Sequence, residues 1–502
     1  MNTIDITKIP SFVSYVTQTL QDNGFEAYLV GGCVRDLLLG KTPKDWDITT
    51  NAHPEQIGAA FPDLKTVCEN AFGTVTVLNM PRSETDRDVS YVTEPVESTQ
   101  VTTYRSEGDY TDNRRPDSVT YETSLEKDLE RRDFTINAIA FDISSLSLID
   151  LYKGQNDIKD KIIRCVLYAE KRFQEDALRM MRAIRFSTTL DFAIASETLE
   201  ALSNNSGLLA SISQERIRDE FIKIILSDSP AAGIDLLQKT GLLKYIATEF
   251  EEGIGCEQKG AHIYDVYHHL LHALQHAADK KFSLEIRLTA LFHDIGKPAT
   301  RRYDQTKDKY TFFGHEVIGA RMTKKILERM KFSRETIELV VKLVRNHMFF
   351  SDTEQITLSA VRRIIQKVGP ENIWLLMQVR ECDRVGMKKA EAPYRLRKYH
   401  AMIDEALRDP ISVAQLAIDG IYLMGTMKMK PGPRMGWILH ALLEEVLDNP
   451  TLNTVEHLHE RVLDLDELEN KDLKILGEKG KEQKESANDT QVIELRKKHG
   501  VK

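Results

Sequence analysis

The chain has 502 residues, 41% hydrophobic and 29% charged, a composition that can bury several cores and excludes a fibrous or wholly disordered protein. Its formal net charge of −9 excludes a broadly basic surface, so any RNA contact has to come from local basic patches. Five scattered cysteines without a Cys-x-x-Cys argue against a disulfide framework or a thiolate zinc site. No run approaches the roughly 18 apolar residues that cross a bilayer, so a cytoplasmic location with no membrane partner is expected.

Over residues 1–160 short β-prone runs alternate with helical ones, which predicts a mixed α/β domain. Tyr28-Leu29-Val30 reads as a buried strand, and Gly31-Gly32 after it lets backbone N–H groups approach a triphosphate. Arg35 then falls near a helix start. In a second strand, read around Trp46 and Ile48, Asp45 and Asp47 stand two apart and project from one face. Two carboxylates so placed can hold Mg²⁺, which activates a 3′-hydroxyl and neutralises a leaving pyrophosphate. Loops are full of Gly-Gly and Asp-x-Asp; their succession in strand–turn–helix–strand order is what points to chemistry. Further strands are expected at Thr74 to Leu78, Val101 to Tyr104 and Ala138 to Phe141. Between the last two, the adjacent Arg131 and Arg132 are suited to clamping phosphates, and Asp133 and Asn137 to a ribose hydroxyl. A helix start with surface charges is the plainer reading of that segment.

After Ile163 strand signals nearly vanish. Apolar residues recur at helical spacing, as at Leu178, Met181, Ile184 and at Ile217, Phe221, Ile224. On the first of these helices Asp176 and Arg179, three apart, share a face. A surface ion pair there would contribute under about 1 kcal/mol. Presented to a base, the same pair would suit cytosine and adenine, which both place an amino donor beside a ring-nitrogen acceptor. Uracil and guanine would turn a carbonyl toward the carboxylate. Farther on, His269, His293, Asp294, His315, His347 and Asp383 offer the imidazoles and carboxylates that bind Mn²⁺, Ni²⁺, Fe or Zn²⁺, although a lone helical histidine is usually structural. Basic residues cluster at Arg321, Lys324, Lys325, Arg329 and Lys331, and at Lys388, Lys389, Arg395, Arg397 and Lys398. From about Leu468 a Lys/Glu/Gln tract reads as a solvated helix or a disordered tail.

The ordered series Gly31-Gly32-x-Val34-Arg35-Asp36, Asp45-x-Asp47, Arg131-Arg132-Asp133-Phe134-Thr135-Ile136-Asn137-Ala138, Glu175-Asp176-x-x-Arg179 and Gln214-Glu215-Arg216-Ile217-x-x-Glu220 closely resembles the class II tRNA nucleotidyltransferases and bacterial poly(A) polymerases. By motif the resemblance covers about residues 25–230, and more loosely it reaches about 460. It implies an α+β architecture: a polymerase-beta-like mixed-sheet head (1–160), then a helical neck (161–250), an HD body (251–395), a helical tRNA-binding module (396–467) and a charged tail (468–502). Carried over, Asp45 and Asp47 bind Mg²⁺, Gly31, Gly32 and Arg35 meet the triphosphate, and Arg132, Asp133 and Asn137 belong to the ribose motif. Asp176 and Arg179 become the protein template that selects CTP and then ATP for addition to tRNA.

Two features qualify the match. Gln100 stands where similar proteins often carry a glutamate, so catalysis is rested on the two aspartates. The stretch Arg105 to Pro116 resembles the family's flexible loop, which favours an enzyme able to add the terminal A. The histidines resemble the HD phosphohydrolases in order, implying His269, His293, Asp294 and Asp383 as primary ligands of a divalent transition metal. His315 and His347 could complete a second site, with His268 and His272 as bystanders. In resembling proteins such a domain can hydrolyse 2′,3′-cyclic phosphates or phosphomonoesters. The expectation is a template-independent CCA-adding nucleotidyltransferase with an HD phosphohydrolase. An A-adding enzyme or a poly(A) polymerase would use nearly the same motifs. A phosphohydrolase or RNA-binding protein with a degenerate head is opposed by intact Asp45, Asp47, Asp176 and Arg179. No oligomeric state is assigned.

Overall fold

The computed structural model describes residues 4–68, 73–81, 98–107, 119–258, 262–306, 308–348, 356–387 and 393–477. Most of the loop expected at Arg105 to Pro116, together with Lys388, Lys389 and the tail beyond 477, lies outside them. The chain divides into two units, Met1–Ala247 and Thr248–Lys502.

In the first unit, α1 (Ser11–Asp22) buries Phe12, Val13, Val16 and Leu20 along one stripe. Strands β1 (Ala27–Val30), β2 (Asp47–Thr50), β3 (Leu64–Cys68), β4 (Thr74–Pro81), β5 (Ser98–Thr103), β8 (Ala140–Asp142) and β9 (Ser147–Ile149) form one sheet in the order β3-β4-β5-β2-β1-β8-β9. A separate hairpin pairs β6 (Arg105–Glu107) with β7 (Val119–Tyr121). Among the described residues of that sheet β2 and β5 run parallel, with Asp47 opposite Gln100, and the other neighbours are antiparallel. Because Leu29 pairs with Ile48 across β1 and β2, the end of one strand meets the start of the other. The glycine turn is thereby brought beside the carboxylates.

Helices α2 (Gly32–Leu38), α3 (Pro54–Ala60), α4 (Leu125–Glu130) and α5 (Gly154–Asp160) complete the sheet domain. Gly154 lets α5 approach the turn at Thr135–Asn137, where a Cβ would fall 2.2 Å from the Thr135 carbonyl oxygen. Beyond it come α6 (Ala169–Glu175), α7 (Leu178–Leu190), α8 (Ser196–Asn205), α9 (Gln214–Ile225), α10 (Pro230–Lys239) and α11 (Lys244–Ala247). The expected apolar faces are buried: Leu178, Met181 and Ile184 on α7, and Ile217, Phe221 and Ile224 on α9.

The second unit is helical: α12 (Val266–Asp279), α13 (Leu284–Phe292), α14 (Lys297–Thr300), α15 (His315–Arg329), α16 (Arg334–Asn346), α17 (Leu358–Val368), α18 (Ile373–Asp383), α19 (Pro393–Ala406), α20 (Gly420–Gly425), α21 (Pro433–Asp448) and α22 (Val455–Asp466). One apolar core runs from Ala273 and Ile286 through Leu376 and Tyr399 to Ile438 and Val462, so the histidine-bearing helices and the C-terminal ones share a core. Leu473 is buried in it as well, which makes residues 470–477 a packed helix and not a solvated tail. Two short pairings interrupt what the sequence reads as all-α: β10 (Ile162–Ile163) with β11 (Ala193–Ile194), and β12 (Arg302–Asp304) with β13 (Lys309–Thr311). Two or three residues are too few to show an alternating pattern. Among the described residues no helix is long and apolar enough to cross a membrane.

Candidate active site and candidate metal centre

Gly31 closes β1 with φ +80°, a conformation L side chains rarely adopt, and a Cβ there would meet Arg132 Nη1 at 3.1 Å and Asp47 Oδ2 at 3.8 Å. The missing side chain therefore leaves a cradle between a guanidinium and a carboxylate. Asp47 opens β2, but Asp45 lies in the bend before it, a correction to the reading that put both on one strand. The two stay close enough to interact. Burial raises the Asp47 carboxyl above its ordinary value, Arg132 opposes this, and the Asp45 charge adds to it. A carboxylate whose charge is disfavoured by burial and by a neighbouring aspartate, beside an open cradle, suits a divalent cation. Gln100, opposite Asp47 in the parallel register, puts a neutral amide where a third carboxylate would stand. Beneath the turn, the Cys33 thiol donates to the carbonyls of Val30 (3.3 Å) and Asp47 (3.7 Å); burial pushes it up to about 12, so it is a packing group and not a nucleophile.

The arginines are held by a network. Arg35 Nη1 donates to Asn137 Oδ1 (2.7 Å) and its Nε and Nη2 to Asp36 Oδ1. Asn137 Nδ2 donates to Asp133 Oδ1 at 3.0 Å. Asp133 also accepts from the Phe134 N–H and, through Oδ2, from Arg182 Nε (2.8 Å) and Nη2 (2.6 Å). Burial alone would raise this carboxyl, yet Arg182 and Asn137 hold it well below the usual range. Asp133 is thus saturated by protein donors and ties α7 to the sheet domain. The sequence reading missed Asp128. Fully buried on α4, it accepts from Arg131 (Nε 3.0 Å, Nη2 2.6 Å), Arg132 Nη2 (3.1 Å) and Thr49 Oγ1 (3.0 Å). Burial opposes its ionisation, but the two guanidiniums hold it at about 2. Its signal was available as Asp-x-x-Arg-Arg, the three- and four-residue spacing that meets on a helix.

Asp176 and Arg179 are not brought together on one helix. α6 ends at Glu175, Asp176 is extended, and α7 starts at Leu178. The Asp176 Oδ1 accepts the Leu178 N–H at 3.1 Å, an Asx turn that breaks the helix where periodicity ran through. Oδ2 takes Arg216 Nη2, from α9, at 2.9 Å. Arg179 is spent elsewhere: Nη1 donates to Glu175 Oε2 (2.6 Å) and the Arg172 carbonyl (3.1 Å), and Nη2 to the Arg131 carbonyl (2.9 Å).

In the second unit the histidines converge. His269, His293, Asp294 and Asp383 place one ligand atom each within 4.8 Å of one another, and Asp294, His315 and His347 form a second group. Asp294 serves both, with Oδ2 3.3 Å from His293 Nε2 and Oδ1 3.2 Å from His315 Nε2. His293, His315 and His347 hydrogen-bond through Nδ1 to the carbonyls of Ala290 (2.8 Å), Phe312 (2.7 Å) and Val344 (2.7 Å). A carbonyl only accepts, so these Nδ1 atoms carry the protons and the Nε2 lone pairs point inward. The Nε2 atoms of His315 and His347 then face each other at 3.3 Å, a repulsion that a cation removes. Burial would lower the His293 imidazole, but Asp294 and Asp383 raise it to about 10, the pull of two carboxylates on positive charge at the place a divalent ion would take. The donor set fits a metal. Lys297 Nζ pairs with Asp294 and donates to Gln258 Oε1 at 2.6 Å, a buried cation the sequence reading did not single out. His268 pairs with the capping Asp265 and His272 stacks on Tyr264, away from the cluster.

Known families match three stretches of the chain. The Poly A polymerase head domain family matches residues 27–164, the "Probable RNA and SrmB- binding site of polymerase A" family matches 191–253, and the HD domain family matches 261–387. The CCA-adding enzyme of Lactobacillus helveticus is 33% identical over 474 residues, 92% of this chain and 100% of that protein. The CCA-adding enzyme of Geobacillus stearothermophilus is 46% identical over 231 residues, covering 46% of this chain and 53% of its own length. A crystal structure of the Bacillus stearothermophilus CCA-adding enzyme in complex with CTP superposes with a TM-score of 0.66 at 29% identity, covering 90% of this chain and 97% of that one. The chain belongs to the family of CCA-adding enzymes, the nucleotidyltransferases that its motif series resembles.

Proposed function

We propose that this chain extends tRNA 3′ ends by C, C and A, using CTP and ATP, releasing pyrophosphate and needing no nucleic-acid template. The observation that carries the reading is the cradle at Gly31, flanked by Asp47 and Arg132 where β1 and β2 meet. Mg²⁺ held by Asp45 and Asp47 would supply the Lewis acid that activates the 3′-hydroxyl and offsets charge on the departing pyrophosphate. Gly31 and Gly32 admit the triphosphate to the backbone, and Arg132, anchored by Asp128, presents positive charge at the cradle. Arg35, Asp133 and Asn137 hold one another around the ribose position. Asp176 accepts the exocyclic amino group shared by cytosine and adenine. Residues 1–160 are the transferase head, 161–250 the neck, and the helices of the second unit carry tRNA in the cytoplasm. A poly(A) polymerase would use the same head; the relatives are named for CCA addition, and one solved relative holds CTP. The test is incubation with labelled CTP or ATP and tRNA ending at the discriminator base, at C or at CC. Extension by two C and one A supports the reading, and long A tracts overturn it.

The HD cluster supports a second activity, hydrolysis of 2′,3′-cyclic phosphates or phosphomonoesters with one or two divalent transition-metal ions. His269, His293, Asp294 and Asp383 would hold one ion and Asp294, His315 and His347 another, supplying an activated water. The residues themselves fix the imidazoles through backbone carbonyls and keep Lys297 against Asp294. Assay of a 2′,3′-cyclic nucleotide across Mn²⁺, Ni²⁺, Fe²⁺ and Zn²⁺ tests it; no hydrolysis with any ion reduces the cluster to a structural one.

A further inference from the structure

We propose that the β12–β13 hairpin and the aromatic residue that follows it form a platform holding the last nucleotides of an RNA strand at the HD centre, which therefore acts on an RNA 3′ end in preference to a free mononucleotide. The proposal rests on the hydrolase reading above and names the substrate class of that site. The hairpin is built into the ligand set: it leaves α14 after Asp294 and Lys297 and returns to His315, which opens α15. Its register sets Tyr303 opposite Tyr310, with ring centroids 5.4 Å apart, and the Arg301 guanidinium lies 3.7 Å over the Tyr310 ring. Tyr303 is half exposed, and its hydroxyl donates to Asp308, which fixes the ring. Residues 301–313 carry Arg301, Arg302, Lys307 and Lys309 against Asp304 and Asp308, a local positive excess in a chain of net charge −9.

Two further side chains carry the platform to the metal ligands. Phe313 is 75% exposed, more than any other large hydrophobic residue among those described, and stands two residues before His315. Met348, also exposed, follows His347. The Nε2 atoms of His315 and His347 lie 3.3 Å apart, so both apolar side chains leave the backbone at the rim of one ligand group. The intervening backbone is fixed: the Phe312 carbonyl accepts from His315 Nδ1 at 2.7 Å, and the Phe312 ring lies 5.6 Å from Lys297 Nζ. A single exposed phenylalanine is ordinary. Exposed rings interleaved with guanidiniums are what single-stranded RNA needs, since its bases stack on rings while its phosphates meet cations. Continuity with the centre fixes the occupant. The reacting phosphate must sit at the ligands, so the base next to it meets Phe313. Tyr310 is three residues back, no more than about 11 Å along the chain, and the pair Tyr303–Tyr310 takes the preceding nucleotides.

The experiment measures kcat and KM across Mn²⁺, Ni²⁺, Fe²⁺ and Zn²⁺ for 2′,3′-cyclic AMP and for a tetranucleotide ending in a 2′,3′-cyclic phosphate, with the wild type, Tyr303→Ala, Phe313→Ala and Arg302→Ala. The wild-type KM for the tetranucleotide should be at least about 10-fold below that for the mononucleotide. Tyr303→Ala should raise the tetranucleotide KM roughly 10-fold while the mononucleotide KM and both kcat values stay within about threefold. Phe313→Ala should raise both KM values, because the terminal base is common to the two substrates. Arg302→Ala should weaken the tetranucleotide alone and make its KM less sensitive to salt. Bound metal should be unchanged in all three variants. Equal wild-type KM values for the two substrates, or a tetranucleotide KM unmoved in both Tyr303→Ala and Phe313→Ala, overturns the proposal and leaves the exposed rings to a protein partner. Phe313→Trp supplies a readout that needs no turnover: measured against the wild type, its added indole fluorescence should be quenched by a tetranucleotide ending in a 3′-phosphate and not by inorganic phosphate. A wild type that hydrolyses neither substrate refutes the hydrolase reading only; quenching in Phe313→Trp still upholds the platform, and its absence overturns it.

Discussion

The two candidate centres solve the same problem, gathering negative charge around a cation, in opposite ways. At the head, two aspartates two residues apart sit at the mouth of a strand, one in a bend and one opening β2, with the cradle at Gly31 beside them. In the second unit the ligands come from residues as far apart as His269 and Asp383, and all but Asp383 are buried, with the imidazole protons of His293, His315 and His347 committed to backbone carbonyls. The first centre must admit and release a nucleotide at each cycle, so it keeps few ligands and an open side. The second is preorganised before any ion arrives. Loss of one residue should therefore fall on catalysis at the head, and on metal retention at the HD cluster.

The largest expected effect is Asp47→Ala. Nucleotide addition should fall by at least about 1,000-fold, because the carboxylate acts on the transition state through the ion. Filter binding should find tRNA affinity within about threefold of wild type, and HD hydrolysis unchanged. Retained incorporation would remove the two-aspartate assignment. Next is Asp294→Ala, which strips a ligand from both groups at once. Elemental analysis should show loss of bound transition metal, with cyclic-phosphate hydrolysis down at least about 100-fold and nucleotide addition intact. His347→Ala touches only the second group and should leave part of the metal in place. Equal loss of both activities in a folded Asp294 variant would mean that the centres are coupled. Smaller again, Asp176→Ala should relax discrimination against UTP and GTP at a cost of roughly 2–3 kcal/mol for the correct bases; selectivity that stays put while rates fall would assign this carboxylate to the Asx turn alone.

What could be read from the chain follows the same contrast. Local signals at the head were legible: the apolar run before Gly31-Gly32, the close aspartates and the amphipathic stripes of α7 and α9 all stand where pattern puts them. The HD residues were legible as a set because His-Asp in sequence is already half a ligand group. Contacts between distant segments were not. Asp176 finds Arg216 forty residues away, and the turn that frees it depends on one side-chain oxygen capping Leu178, which helical periodicity does not register. Asp133 looked free for a sugar hydroxyl, but Arg182 from α7 fills it. Tertiary pairing decides whether a polar residue serves a ligand or the fold.

The smallest effect tests Asp128, the buried acid that holds Arg131 and Arg132 behind the cradle. Burial works against its ionised form, yet the two guanidiniums keep its carboxyl at about 2, below the ordinary 3.8. A folded value below the unfolded one means stability that is fully present above about pH 4 and is lost as pH falls toward 2. A shift of this size corresponds to about 2 kcal/mol. Asp128→Asn keeps the shape and some hydrogen bonding but removes the charge, so the first unit should lose about that much at pH 7, read by urea denaturation. The gap between wild type and variant should then narrow between pH 4 and pH 2. Asp133, also held low, remains in both proteins and cancels from the difference. A gap that stays constant over that window would show that Asp128 contributes through packing and neutral hydrogen bonds, and that the charge on Arg132 at the cradle is set without it.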